Sequence, residues 1–128
     1  MATILVIDDD KRVRLMIRRI LASAGHLVLE AEDGQKGLAR FAAENPDLVI
    51  SDIVMPDHEG ISTIRQLRRA GATVPILAIS GGGSSVAGVE YLRMATNLGA
   101  NASLGKPFGA DELIAAVAAL LPPAAAVH

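Results

Sequence analysis

Five side chains could do chemistry together: Asp8, Asp9, Asp52, Ser80 and Lys106. Each closes or follows a short apolar run: Ile4-Leu5-Val6-Ile7 leads into Asp8 and Asp9, Asp47-Leu48-Val49-Ile50-Ser51 into Asp52, Pro75-Ile76-Leu77-Ala78-Ile79 into Ser80, and Ala102-Ser103-Leu104-Gly105 into Lys106. If these runs are parallel strands, their ends meet at one sheet edge, where open α/β proteins keep their ligands. Three carboxylates brought close oppose one another's ionisation, so a structure that gathers them must supply a cation. A hard divalent ion such as Mg²⁺ suits carboxylates, a backbone carbonyl and waters. The ammonium of Lys106 adds charge compensation and the hydroxyl of Ser80 adds a donor. This set suits a phosphoryl group: a carboxylate can be the nucleophile, while cation and ammonium stabilise charge on the transferred oxygens. Gly81 and Gly82 beside Ser80 leave room for it.

Taken singly, each residue has a plainer reading. Asp8, Asp9 and Asp10 could cap a basic helix, and for Asp10 that is the whole expected role. Ser80 could be a strand-end hydroxyl and Lys106-Pro107 a turn. The combination favours the site. The glycine run after Ser80 lacks both the Gly-Lys-Ser/Thr ending and the G-x-G-x-x-G spacing of nucleotide loops. His26, His58 and His128 are scattered and are read as neither ligands nor bases.

The elements that must position these residues alternate. Val13, Ile17, Ile20, Leu21 and Ala24 recur at helical spacing after the first run, with Asp10 as N-cap and Gly25 just past the end. Leu27-Val28-Leu29 is a second strand, and Asp33-Gly34 opens a helix that must stop before Asn45-Pro46. Ile61, Ile64 and Leu67 mark a helix ending near Gly71, and Val89, Leu92, Ala95 and Leu98 another closing at Gly99. Leu113, Ile114, Val117 and Leu120 mark the last, stopped by Pro122-Pro123. Strand and helix alternating in this way predict an α/β fold, a parallel sheet with helices on both faces. Residues 1–121 read as one domain and 122–128 as a short C-terminal tail, with no output module attached.

Composition sets the outer bounds. The 128 residues suit one core, and with 51% hydrophobic but only 2% aromatic residues that core must be aliphatic. A formal charge of -2 gives no electrostatic reason to expect nucleic acid. The absence of cysteine excludes disulfides and thiolate metal sites. The apolar N-terminus ends at three aspartates, so it is neither signal peptide nor membrane span, and the expected setting is the cytoplasm.

The chain resembles a response regulator receiver domain, the phosphoacceptor half of two-component signalling, from about residue 3 to about residue 121. The motifs are Leu5-Val6-Ile7-Asp8-Asp9-Asp10, Asp47 to Asp52 with Met55-Pro56 and Gly60, Ser80-Gly81, Gly99-Ala100 and Lys106-Pro107-Phe108. The resemblance implies a flavodoxin-like doubly wound (βα)5 fold with strand order 2-1-3-4-5. It implies Asp52 as phosphoacceptor, with Asp9, Asp52, Asp8 (mainly through water) and the Val54 carbonyl around Mg²⁺. Lys106 would pair with the phosphoryl group, Ser80 would swing in to hydrogen-bond it, and the Lys106-Pro107 bond would be cis. The implied partners are a sensor histidine kinase or histidine phosphotransfer protein and a downstream protein target, with neither nucleic acid nor membrane involved. The first helix, bearing Arg12, Arg14, Arg18 and Arg19, is either a solvated face or the surface that meets the phosphodonor.

Two departures qualify the resemblance. The family's switch aromatic, three residues before the lysine, is here Ser103, so the usual relay of phosphorylation to the outer face cannot operate as it does elsewhere. The segment from Ser80 to Gly99 is a few residues longer than in the chemotaxis-type receiver, with the extra length around Gly81-Gly82-Gly83-Ser84-Ser85, and a loop reordering that moves Tyr91 and Arg93 would be one substitute. The leading expectation is a stand-alone receiver that is not an enzyme beyond its own phosphorylation and dephosphorylation. A phosphate sink or relay intermediate is its variant. A pseudo-receiver would not need the complete set of site residues. A phosphohydrolase of haloacid dehalogenase type needs a second Asp two residues after the nucleophile, where this chain has Val54.

Overall fold

The computed structural model describes residues 2–53, 59–80, 93, 95–97 and 99–121. Five strands, β1 (Thr3–Ile7), β2 (Leu27–Ala31), β3 (Leu48–Asp52), β4 (Ile76–Ser80) and β5 (Ala102–Gly105), form one sheet in the order β2-β1-β3-β4-β5. Every pairing is parallel. Four helices have both ends described: α1 (Lys11–Ser23), α2 (Gly34–Glu44), α3 (Glu59–Arg69) and α4 (Ala110–Leu120). Residues 93 and 95–97, between β4 and β5, are also helical. This is the doubly wound flavodoxin-like topology.

Alternation along the strands builds a core on each face. Ile4 and Val6 of β1, with Leu48 and Ile50 of β3, pack against Ile17 and Leu21 of α1 and Leu113 and Val117 of α4. Leu5, Ile7 and Val49 face the other way, against Ile61, Ile64 and Leu67 of α3 and Ala95. All five residues of β3 and of β4 are buried. Central parallel strands covered on both faces account for their unbroken apolar runs.

Local signals set the element ends. The Asp10 side chain accepts a hydrogen bond from the Arg12 amide, and Asp33 from the Lys36 amide, capping α1 and α2. Gly25, just beyond α1, has φ 92°, and Asn45 ends α2 at φ 47°, left-handed values that suit these two residue types. Two expectations need correction. Ala24 is exposed rather than part of the buried stripe, because it lies past the last turn of α1. β2 runs on to Ala31, held by the register Val6↔Glu30 and Ile7↔Ala31, although Glu30 breaks its apolar pattern. Ser80 is the last residue of β4, and the Lys106 amide donates to its carbonyl at 2.7 Å. Val54, His58, Gly81 with the rest of its glycine run, and Tyr91 lie outside the described residues.

Candidate functional site

The carboxyl ends of β1, β3, β4 and β5 converge, as their parallel pairing requires. Asp8 follows β1, and its amide donates to the Ala31 carbonyl at 3.1 Å, extending the ladder with β2 by one bond. Asp52 closes β3 in register with Ile79, and Ser80 closes β4 in register with Gly105. Lys106 follows directly, and the Lys106-Pro107 bond is cis, as the resemblance implies. Gly60 lies against the end of β3 so closely that a Cβ there would fall 1.9 Å from the Asp52 carbonyl oxygen. The motif glycine is thus a requirement of close approach.

Asp8 is 0% exposed and Asp52 3% exposed, while Asp9 faces solvent. Oxygens from all three carboxylates lie within 4.8 Å of one another. Lys106 Nζ reaches across the sheet edge to Asp8 Oδ2 at 3.1 Å and Asp52 Oδ2 at 3.3 Å. The other Asp8 oxygen accepts the Asp10 amide at 2.8 Å. Ser80, fully buried, makes its own polar interaction at the end of β4.

Burial pushes the Asp8 carboxyl above the ordinary carboxylate range, although the Asp10 amide and the Lys106 ammonium pull the other way. For Lys106 burial acts downward, but the Asp52 and Asp8 carboxylates outweigh it and raise its pKa. The two shifts weigh one ion pair differently. The difference is exposure: Asp8 is fully desolvated, whereas the Lys106 side chain keeps 19% of its surface in water. Lys106 therefore partly compensates a site that stays short of positive charge. Three convergent hard oxygen donors with that deficit can hold a divalent cation.

Arg14 was missed. Among the arginines of α1, read as a solvated face or a surface for the phosphodonor, it alone turns inward, with a side chain only 12% exposed. Its Nη1 donates to the Asp8 carbonyl at 2.6 Å and its Nε to Glu30 Oε1 at 3.1 Å. Arg18 Nη1 takes the other Glu30 oxygen at 3.1 Å. A signal was available, because Arg14 shares the helical phase of the buried Ile17 and Leu21. Ser103 lies exposed on β5, in register with Ala78, and carries no aromatic surface to bury.

A fold of this order with an acidic cluster and a lysine at the strand ends defines a receiver-type phosphoacceptor module. The family model for the response regulator receiver domain matches residues 4–118, and the chain belongs to that family. Response regulator MprA of Mycolicibacterium vanbaalenii is 40% identical over 121 residues, covering 92% of this chain and 49% of that protein. This chain thus spans about half the length of the curated relatives it matches. Chemotaxis protein CheY4 of Vibrio cholerae superimposes with a TM-score of 0.84 at 30% identity, covering 94% of this chain and 99% of that one. NtrX of Brucella abortus gives 0.85 at 31% identity, over 94% of this chain and 27% of its own. The Asp8, Asp9 and Asp52 cluster is the acidic motif typical of phosphoaccepting response regulators in two-component signalling. Such domains are phosphoacceptor modules rather than turnover enzymes. Among the described residues, no helix is long and apolar enough to cross a membrane.

Proposed function

We propose that this domain accepts a phosphoryl group on Asp52 from a phosphohistidine, carried by a sensor histidine kinase or a histidine phosphotransfer protein in the cytoplasm. The observation that carries the proposal is the buried Asp52 carboxylate with the Lys106 ammonium 3.3 Å away and two further carboxylates beside it. In the step, an Asp52 oxygen attacks phosphorus and forms an O–P bond as the N–P bond breaks. The electron pair of that bond returns to the donor's imidazole nitrogen. Lys106, whose Nζ lies 3.3 Å from Asp52 Oδ2, would pair with the arriving phosphoryl oxygens, and Ser80, the last residue of β4, would donate a hydrogen bond to them.

Asp9 and Asp52 would hold Mg²⁺ directly, with Asp8 behind them through water and the Val54 carbonyl as a further ligand, as the family resemblance implies. When bound, the ion supplies positive charge against the phosphoryl oxygens. Asp8 and Asp9 thus serve by binding, and Lys106 by neutralising and orienting. The output would be a changed affinity for a downstream protein. Ser103 favours a variant in which the domain passes the phosphoryl group on as a relay or sink, since the switch aromatic that elsewhere reports phosphorylation is missing.

The test is incubation with acetyl phosphate, with and without Mg²⁺, followed by intact-mass measurement. Wild type should gain one phosphoryl mass only when Mg²⁺ is present, and Asp52→Asn should gain none. No adduct under conditions where an authentic receiver reacts would overturn the proposal in favour of a domain that works through protein contacts alone.

A further inference from the structure

We propose that Arg14, anchored by Glu30, is a positioning residue for the cation site, an inference that rests on the reading of Asp8, Asp9 and Asp52 as cation ligands. The β1–β2 ladder ends where the Asp8 amide donates to the Ala31 carbonyl. Beyond that bond β2 stops, and the chain turns towards the α2 cap at Asp33. The Asp8 carbonyl is met instead by Arg14 Nη1 at 2.6 Å. That carbonyl belongs to the peptide unit joining Asp8 to Asp9, so its direction sets how the two carboxylates stand to each other.

Arg14 is itself tied at three points. Its amide donates to the Asp10 carbonyl at 3.1 Å in the first turn of α1, and its Nη1 holds the Asp8 carbonyl. Its Nε is held by Glu30, which the register places opposite Val6 on β2. A planar guanidinium gripped on two edges cannot rotate without breaking one grip. The peptide plane is thereby locked to β2 and α1 before any cation arrives. Outer groups of this kind fix the direction of metal ligands in many sites.

Positioning and simple electrostatics give opposite signs here. Arg14 touches a backbone carbonyl and no carboxylate of the cluster. By charge alone, removing a cation near a cation site should tighten binding of Mg²⁺. By positioning, removing it should loosen binding, because the Asp8–Asp9 peptide is freed to turn.

The experiment is a calorimetric Mg²⁺ titration of the full chain for wild type, Arg14→Met, Arg14→Lys and Asp9→Asn, with thermal unfolding in EDTA as the measure of structural loss. Arg14→Met should bind about tenfold more weakly, the lower end of the range for outer-shell partners. Arg14→Lys keeps the charge but cannot serve both Asp8 and Glu30, and should fall about threefold. Asp9→Asn should abolish binding. Arg14→Met binding as tightly as wild type, or more tightly, would overturn the positioning role while leaving the cation site intact. If Arg14→Met does not fold, Arg14→Lys decides, and affinity at or above wild type again overturns it. Wild type that binds no Mg²⁺ overturns the cation reading and this inference with it.

Discussion

Lys106→Met removes the one ammonium that compensates the buried pair of carboxylates while keeping an unbranched stem of similar length. Asp8 would lose a partner at 3.1 Å and Asp52 one at 3.3 Å, with neither carboxylate able to move into water. Breaking a buried ion pair from one side costs about 3–5 kcal/mol. Because the lysine side chain is 19% exposed and solvent reaches the site, about 2 kcal/mol is the appropriate loss in metal-free buffer near neutral pH. For a chain of this size that is a fall in Tm of about 8 °C. The pH dependence identifies the cause. Burial raises the Asp8 pKa while Lys106 lowers it, so the substitution keeps the upward effect and deletes a downward one. A raised folded-state carboxylate pKa means that the protonated form favours folding. The variant's deficit should therefore be largest near neutral pH and shrink as pH falls from there through the raised Asp8 value. Differential scanning fluorimetry of both proteins in EDTA across that range measures it. A deficit that is constant or grows towards acid would refute the assignment of Lys106 as counter-charge to buried carboxylates.

Further outcomes follow from the same geometry. Asp8→Asn should stabilise the metal-free protein by about 1 kcal/mol near neutral pH, because a desolvated charge is removed. The gain should fade as pH drops and Asp8 itself takes up a proton, and calorimetry should show weaker Mg²⁺ binding. Gly60→Ala should destabilise by about 2 kcal/mol or more in chemical denaturation, since the Asp52 backbone cannot retreat from the added methyl. Gly37→Ala should also destabilise, because its added methyl would fall 2.4 Å from Cδ1 and 2.8 Å from Cγ1 of the fully buried Ile7, which must shift within the core. Arg68→Ala should lower stability by about 2 kcal/mol while leaving Mg²⁺ affinity unchanged. Its guanidinium ties α3 to the Ala72 and Gly99 carbonyls and the Asn101 side chain, remote in sequence from the acidic cluster.

Why some of this was legible in the sequence and some was not has a physical explanation. Strand ends carrying Asp8, Asp52 and Ser80 could be read because apolar β-branched runs stop abruptly at polar residues, and parallel pairing gives all of them one edge. Caps at Asp10 and Asp33 and the turns at Gly25 and Asn45 were legible because they depend on local backbone needs. Contacts made across the fold were not. Arg14 looked like one more charge on a basic helix until β2 placed Glu30 beside it. Nothing in the sequence marks Arg68, whose partner carbonyl at Gly99 is presented by a turn at φ 128° far along the chain. Glu30 broke the apolar pattern of β2 and so shortened the predicted strand, yet the break is where the arginine anchors. The strand pattern failed where a side chain is held by a tertiary partner rather than by its own element.

The most direct test of Asp52 as phosphoacceptor is reductive trapping. Protein treated with acetyl phosphate and Mg²⁺ is reduced with borohydride, which converts an aspartyl phosphate to homoserine, and the peptides are sequenced by mass spectrometry. The expected result is homoserine at position 52 alone, dependent on Mg²⁺ and lost in Asp52→Asn. Homoserine at Asp8 or Asp9 instead, or at no aspartate while an authentic receiver treated alongside is trapped, would contradict it.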